Sequence, residues 1–513
     1  MQTLKELFAG VPERFGDRPA LVVDGRTWSH RELGREANRL AHGLAARGVR
    51  PGTPVALLTS NRAEYVIGDL ALIRLGAAKV PVNDMLSPSE IGFVLADSGT
   101  EVAIADAGLL QAALAAPAPA LRHVVDIDGA ADGTDARVRS WRDTLTGAAD
   151  TEPAAQPQPD GVGLIAYTGG TTGRQKGVVH TQRGLVANVL AHVVETGFQD
   201  DERLLLTTPL PHSAGYLLQA GLLKGACHHV ERRFDADRVL DAVTRDGITF
   251  LFMVPTMIYR VLDRAAARGI AAADLASLRT ILYGAAPITL ERLEEGLARF
   301  GPVFMQLYGQ TEAPNFLTRL TREDHDPRRP DRLTSCGQRV TLMEVAVLDE
   351  RDGRVAAGTV GEVCARGPYV MAGYHGLPDK TAETLRGGWL HTGDIGFLDD
   401  EGYVHLLDRT NDMIISGGMN VYSTEVENVV ALGQGVGQVA VVGVPHPDWG
   451  EAVVAYVVPT GPDAFDEAAT VAVCRRELAA YKRPKAFRTC PTLPVTPYGK
   501  VDKKALRKEW PGW

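Results

Sequence analysis

With 513 residues, 54 basic and 63 acidic side chains and a formal charge of -9, the chain is too acidic for a general nucleic-acid binder, which needs concentrated Lys and Arg. Hydrophobic residues at 45% and charged residues at 23% exclude global disorder, and the length exceeds what one core fills, so at least two domains are expected. Cysteines at 227, 336, 364, 474 and 490 show no C-x-x-C pair and no ligand-like spacing to histidine, which reads as the reduced thiols of a cytoplasmic protein.

Met1 to Phe15 sets Leu4, Leu7, Phe8 and Val11 at helical spacing among charges, predicting an amphipathic helix and not a signal segment. No apolar stretch approaches the ~18 residues of a membrane span. From Ala20 to Ala105, apolar runs at 55–59 and 101–105 flank a helical pattern at 64–75, the alternation of an α/β protein with a largely parallel sheet. Residues 111–160, rich in Ala, Pro and Asp and stiffened by Pro153, Pro157 and Pro159, read as peripheral structure followed by a surface linker.

An apolar strand then runs into Tyr167-Thr-Gly-Gly-Thr-Thr-Gly-Arg-Gln-Lys-Gly177. Glycines let backbone N–H groups approach an anion, hydroxyls add donors, and Lys176 supplies a compact positive charge. Gly177 and Val178 follow the lysine where a Walker A loop has Ser or Thr, so the loop is a phosphate cradle of another kind. Leu185, Val189 and Val193 mark a helix that packs back on the sheet. Three more apolar runs end in polar or glycine-rich clusters: 204–207 before Pro209 to Gly215, 280–283 before Gly284-Ala285-Ala286-Pro287, and 303–307 before Tyr308-Gly-Gln-Thr-Glu312. Ligands in open α/β sheets bind beyond the carboxyl ends of the strands, so all four clusters are expected to face one crevice.

Residues 335–409 change to short alternating strands, with Asp399 to Gly402 as a hairpin turn. Thr424-x-x-Glu427 predicts a capping box at a helix start, and apolar runs at 436–444 and 452–458 predict a compact C-terminal α/β domain. Pro497 to Lys504 is a lysine-bearing turn.

These stretches resemble, in order, the signatures of the adenylate-forming superfamily of acyl- and aryl-CoA synthetases, carrier-protein-loading adenylation domains and luciferases. The matching motifs are Tyr167 to Gly177, Tyr308 to Glu312, Gly388 to Asp394, Asp408-Arg409 with Ser416-Gly-Gly418, and Gly499-Lys500, and the likeness covers nearly the whole chain. The resemblance implies a large N-terminal domain of doubly wound sheets over 1–410, with a small β-barrel-like subdomain at 335–410, and a small mobile C-terminal α/β domain over 411–513. It also implies activation of a carboxylic acid by ATP to an acyl adenylate, followed by transfer to CoA.

By that resemblance Thr168, Gly169, Gly170, Thr171, Thr172 and Gly173 with Lys176 wrap the outer phosphates, Thr311 meets the α-phosphate, and Glu312 holds Mg²⁺. Tyr308 stacks on adenine, with Gly284, Ala285 and Ala286 beside it and Gly309 next in the motif; Asp394 and Arg409 hold the ribose hydroxyls. Lys500 bridges the acid and the α-phosphate. Gly417 and Gly418 line a pantetheine channel, with Trp449, Lys482 and Arg483 toward the nucleotide end of CoA, although Lys482 and Arg483 read equally as a plain basic edge.

His212 matches a gating position or is a core histidine, and with Tyr216, Met253, Tyr283, Leu307, Gly309, Pro314 and Asn315 it describes a mainly apolar acid slot. No Asp stands at 210–215 to pair with an α-ammonium, which disfavours amino acids and leaves aryl or medium-chain acids. His228-His229 matches part of an acyl-transfer motif, but Arg233 stands where its Asp belongs, so no role is assigned. Gly169 replaces the family's usual Ser and Gln175 its Pro, while Asn411 occupies the hinge where Asp or Lys is common. The weak hinge keeps open an acceptor other than CoA: a carrier protein, an amine, or nitrite activation for diazotisation. A homodimer is compatible with the resemblance; neither nucleic acid nor a membrane span is expected.

Overall fold

The computed structural model describes residues 1–130, 135–168, 175–409, 412–496 and 500–513. Gly169, Gly170, Thr171, Thr172, Gly173, Asn411 and Gly499 lie outside the described residues.

Two large sheets carry the N-terminal part. Among the described residues the first has nine strands, with Arg203–Leu206, Phe250–Met253, Thr280–Gly284 and Phe304–Gln310 side by side and parallel. The chain then turns back antiparallel through Ala313–Leu320. The second sheet has eight, including the parallel strands Pro54–Leu58, Ala78–Val82 and Val102–Ala105. Its strand Val162–Thr168 pairs antiparallel with Lys176–Thr181, which pairs in turn with Gly373–Tyr374. Parallel strands are covered on both faces, which is why Val55 to Leu58 is an unbroken apolar run with every residue at 0% exposure.

The main core lies between the sheets, where the helices His30–Ala46, Ala63–Leu75, Gln182–Thr196 and Gly215–Lys224 join strands of both in one apolar cluster. Leu185 and Val189 of the third helix are buried and Val193 packs at its edge, as their spacing predicts. The helix Ala63–Leu75 is buried on nearly every side and so has no polar stripe. The predicted N-terminal helix divides at Gly10, whose φ of +73° ends Leu4–Phe8 before Val11–Phe15 begins.

Residues 335–409 contribute a four-stranded antiparallel sheet, Glu344–Leu348, Gly361–Arg366, Leu390–Leu398 and Val404–Arg409, with the Asp399 turn joining the last two. Two short pieces of this span, Gln338–Arg339 and Gly373–Tyr374, extend the large sheets instead and lace the subdomain to both. Beyond it, five strands from Ile414–Ser416 to Ala486–Thr489 form a separate sheet packed with the helices Ser423–Val430, Glu467–Glu477 and Lys503–Glu509. Among the described residues no helix is long and apolar enough to cross a membrane.

The capping box expected at Thr424 and Glu427 does not form. The helix starts at Ser423, without a side-chain cap, and Glu427 turns instead to Lys503 Nζ at 2.7 Å and to the Val441 N–H at 2.8 Å. A half-buried carboxylate gains more from a cation and a strand donor than from a fraying helix end. Lys503, part of the predicted lysine turn, is thus largely buried: it donates to Ser423 Oγ at 2.5 Å, and the Ser423 N–H donates to Asp408 of the preceding sheet. Lys503→Met leaves Glu427 and Asp408 without their cation and is expected to cost roughly 2–4 kcal/mol. Urea unfolding should then show an early transition of the C-terminal domain, and a coincident, unshifted transition would refute this.

Candidate active site

The hairpin between Phe304–Gln310 and Ala313–Leu320 carries Tyr308, Gly309, Thr311 and Glu312. A Cβ on Gly309 would lie 2.6 Å from the Asn315 backbone, so only glycine permits this bulged crossing, with Asn315 at a φ of +66°. The hairpin tip is clamped from the second sheet. His180 Nε2 lies 2.8 Å from the Thr311 carbonyl, and the Met371 N–H donates to the Glu312 carbonyl at 2.8 Å. Burial pushes His180 down to about 4, so it stays neutral and its Nε2–H is the donor.

Tyr374 completes the clamp. Its hydroxyl donates to Glu312 Oε1 at 2.7 Å, while Lys176 Nζ stands 4.4 Å from its ring centroid. Lys176 and Thr168 face each other across the strand pair that flanks the glycine-rich loop. The strands flanking the glycine-rich loop and the Tyr308 to Glu312 hairpin therefore meet, one from each large sheet.

Asp394 and Arg409 are direct cross-strand neighbours, which brings Arg409 Nε to 3.1 Å from Asp394 Oδ1. The Tyr308 hydroxyl donates to Asp394 Oδ2 at 2.5 Å. Asp394 is only 5% exposed, and its turn is braced by Glu362, which accepts from Gly393 N–H at 2.9 Å and lies 2.8 Å from His391 Nδ1. Cys364 Sγ sits 3.4 Å from the same Nδ1, a Cys–His meeting that linear spacing did not reveal.

Lys500 reaches this group from the C-terminal domain. Crowding by protein, then the Arg409 guanidinium, push its ammonium down to about 8 against the pull of Asp394 and Glu312. Its surface remains exposed, so it stands in an open cleft and not in a sealed core. His212, in the tight turn Leu210–Ala214, has Nε2 3.0 Å from Asn83 Nδ2, and burial followed by the Lys500 charge pushes it down to about 4. Positive and negative groups from four segments thus share one cleft, suited to binding polyanions and offsetting charge between two of them.

The expected acid slot divides. Asn315 Nδ2 meets His192 Nε2 at 2.8 Å and donates to Ser213 O at 3.2 Å, His192 stacks on Tyr216 at 5.8 Å, and Pro314 O accepts from Asn188 Nδ2 at 2.9 Å. Leu307 lies two residues before Gly309 and joins the same inner core. Met253 and Tyr283, neighbours across paired strands, pack in the cluster on the opposite face of the first sheet, and the Tyr283 hydroxyl lies 3.0 Å from His325 Nε2. Strand alternation separates them from Leu307. The Gly284 to Ala286 turn passes close to that strand: a Cβ on Gly284 would lie 2.4 Å from Leu307 O, and Ala285 takes a φ of +66°.

Gly417 and Gly418 form an exposed turn against Trp449, with Gly417 N–H donating to Trp449 O at 2.8 Å. Arg483 donates to Leu478 O and Arg475 O, and Lys482 pairs with Glu425 at 2.6 Å, so both cations are engaged within their own domain. Lys485, which the sequence reading passed over, stands 4.7 Å from the Trp449 ring centroid. Tyr374, His180, His192 and Asn83 were also passed over. Only the histidines carried a signal, as titratable residues within apolar runs.

The sequence model of the AMP-binding enzyme family matches residues 8–375, and that of the AMP-binding enzyme C-terminal domain matches residues 425–500. A medium/long-chain-fatty-acid–CoA ligase, FadD8, of Mycobacterium tuberculosis is 36% identical over 99% of this chain and 90% of its own. A feruloyl-CoA synthase of an Amycolatopsis species is 38% identical over 95% and 94%. Among solved structures, the amide bond synthetase McbA from Marinactinospora thermotolerans superimposes with a TM-score of 0.88 at 31% identity, covering 98% of this chain and 99% of that one. With two matched domains in the expected order and full-length relatives, the chain belongs to the AMP-binding enzyme family and is an enzyme of the adenylate-forming superfamily.

Proposed function

We propose that this protein is an ATP-dependent acid:CoA ligase that adenylates an aryl or medium-chain carboxylic acid, releases pyrophosphate, and transfers the acyl group to the CoA thiol. The observation that carries this reading is Lys500, a cation from the second domain that acts electrostatically with Glu312, Asp394, Arg409 and His212. Two CoA ligases among the full-length relatives support the choice of acceptor.

In this reading Arg409 and Asp394 orient the ribose, Tyr308 is held beside the base by its bond to Asp394, and Lys176 meets the outer phosphates. Glu312 fits a hard divalent cation: Tyr374 occupies Oε1, which leaves Oε2 for the metal, and Lys176 balances the carboxylate nearby. A bound Mg²⁺ would add charge neutralisation at the phosphates. Lys500 draws the acid's carboxylate and the α-phosphate together, two anions that otherwise repel, and the neutral His212 borders the acid without adding charge. The adenylate's acyl carbon is then attacked by the CoA thiol, and AMP leaves. Asn411 takes the hinge role that the resemblance implies. Transfer to an amine is a second reading, favoured by the likeness to McbA. Pyrophosphate exchange over a panel of alkyl and aryl acids, with acyl-CoA measured when CoA is added, tests the assignment; AMP release without acyl-CoA for every acid would favour the second reading.

Lys500→Ala should lower acid-dependent pyrophosphate exchange by at least 10²-fold while sparing thioester formation from supplied acyl adenylate. Equal loss of both half-reactions would contradict a lysine dedicated to the first.

With its ammonium pushed down to about 8 from the ordinary 10.5, Lys500 loses charge progressively as pH rises through that range, and kcat/KM for adenylation should fall with it. Lys500→Arg keeps its charge and should lose that descending limb, even at a lower absolute rate. An identical limb in the variant would assign it to another group.

A further inference from the structure

Behind the turn that presents Asp394, the four-stranded subdomain sheet gathers a second set of ligating side chains. Cys364 in Gly361–Arg366 and His391 in Leu390–Leu398 are direct partners across antiparallel strands, and a register shift between Glu362 and Cys364 lets both meet one ring. His391 Nδ1 lies 2.8 Å from Glu362 Oε2 and 3.4 Å from Cys364 Sγ, and the three ligand atoms all stand within 4.8 Å of one another. Cys364 is wholly buried, and the His391 side chain is 4% exposed.

One ring proton cannot satisfy this group. If Nδ1 carries it, Glu362 is served, but the bare Nε2 faces Asp352 Oδ1 at 3.6 Å, acceptor toward acceptor. If Nε2 carries it, the Nδ1 lone pair faces the Glu362 carboxylate at 2.8 Å. Nε2 has no hydrogen-bond partner among the described residues. A metal ion on Nδ1 removes the conflict: it takes that lone pair, Glu362 Oε2 and the Cys364 thiolate, and leaves the ring proton on Nε2 toward Asp352. A carboxylate behind the ring is the usual companion of a metal-bound histidine. The charges balance as well, because Glu362 and the thiolate neutralise a divalent ion while Asp352 is paired with Arg386 Nε at 3.2 Å. Arg386 Nη2 also reaches Glu362 Oε2 at 3.4 Å, an exposed contact that the ion displaces.

We propose that Glu362, Cys364 and His391 bind a zinc ion through Oε2, Sγ and Nδ1, with water as the fourth ligand. The site shares no residue with the Glu312 cation site and does not depend on the ligase reading. A thiolate and an imidazole select zinc over magnesium or calcium, which take oxygen ligands, and coordination releases the thiol proton to solvent. Ligands about 2.0–2.3 Å from a tetrahedral zinc stand about 3.3–3.6 Å apart, so the Sγ–Nδ1 distance already fits and the Nδ1–Oε2 distance opens by about half an ångström. The other Glu362 oxygen accepts the Gly393 N–H at 2.9 Å, so the ion would stiffen the turn one residue before Asp394.

The test titrates metal-free, full-length protein with Co²⁺, a spectroscopic stand-in for zinc. One equivalent should bring thiolate-to-cobalt charge transfer in the near ultraviolet and tetrahedral bands in the visible, both erased by Zn²⁺ and unaffected by excess Mg²⁺. Cys364→Ser should lose the charge-transfer band, His391→Gln should weaken Zn²⁺ binding by about 100-fold or more, and Cys490→Ser should change neither. Glu362→Gln, which leaves the buried thiol and ring in place if Cys364→Ser fails to fold, should weaken binding by about tenfold or more. Absence of the charge-transfer band in the unsubstituted protein, its persistence in Cys364→Ser, or Zn²⁺ affinity unchanged in both His391→Gln and Glu362→Gln overturns the inference.

Discussion

Asp394 is the joint on which the site turns. One carboxylate, almost wholly buried, accepts the Tyr308 phenol from the first large sheet, pairs with Arg409 across its own strand pair, and pulls electrostatically on Lys500 from the C-terminal domain. A buried carboxylate needs such partners, because an unpaired charge at that depth is far costlier than a paired one. Its demand for them draws together pieces of chain that are otherwise independent. The bracing of its turn by Glu362 and His391 is the scaffolding for that demand.

The same logic extends to the boundary between the two domains. Across it the Ser423 N–H donates to Asp408, and on the C-terminal side Lys503 holds Ser423 and Glu427 while Arg507 holds Asp412 at 2.9 Å. Such polar contacts are directional, unlike the continuous apolar packing between the two large sheets. The orientation adopted here puts Lys500 in the cleft and leaves the Gly417 turn and Trp449 exposed.

Much of this was legible in the sequence, and for identifiable reasons. Parallel strands such as Val55 to Leu58 announce themselves as unbroken apolar runs because both faces are covered. The clusters with Thr168, Thr311 and Glu312 sit where such runs stop and are visible by position and motif, whereas Lys500 is marked by motif alone. What failed to show was pairing at a distance. Tyr374 looks like any tyrosine until the strand Gly373–Tyr374 is seen to edge the second sheet, and Lys503 reads as a solvated tail lysine until Glu427 abandons its helix cap. Met253 and Tyr283 stand with Leu307 among the expected acid-slot residues, but the two-residue period of the backbone decides which face each occupies. Cys364 and His391 lie on neighbouring antiparallel strands, a proximity invisible to linear spacing.

Tyr374 carries a further consequence. Its one phenol ring is shared, through its hydroxyl, with the carboxylate of Glu312 and, through its face, with the ammonium of Lys176. An anion that draws Lys176 off the ring changes the charge environment in which the phenol holds Glu312, and a cation on Glu312 alters the same bond from the other end. Ligands held by Lys176 and Glu312 would therefore be coupled in free energy through a single side chain, each by reciprocity changing the affinity for the other.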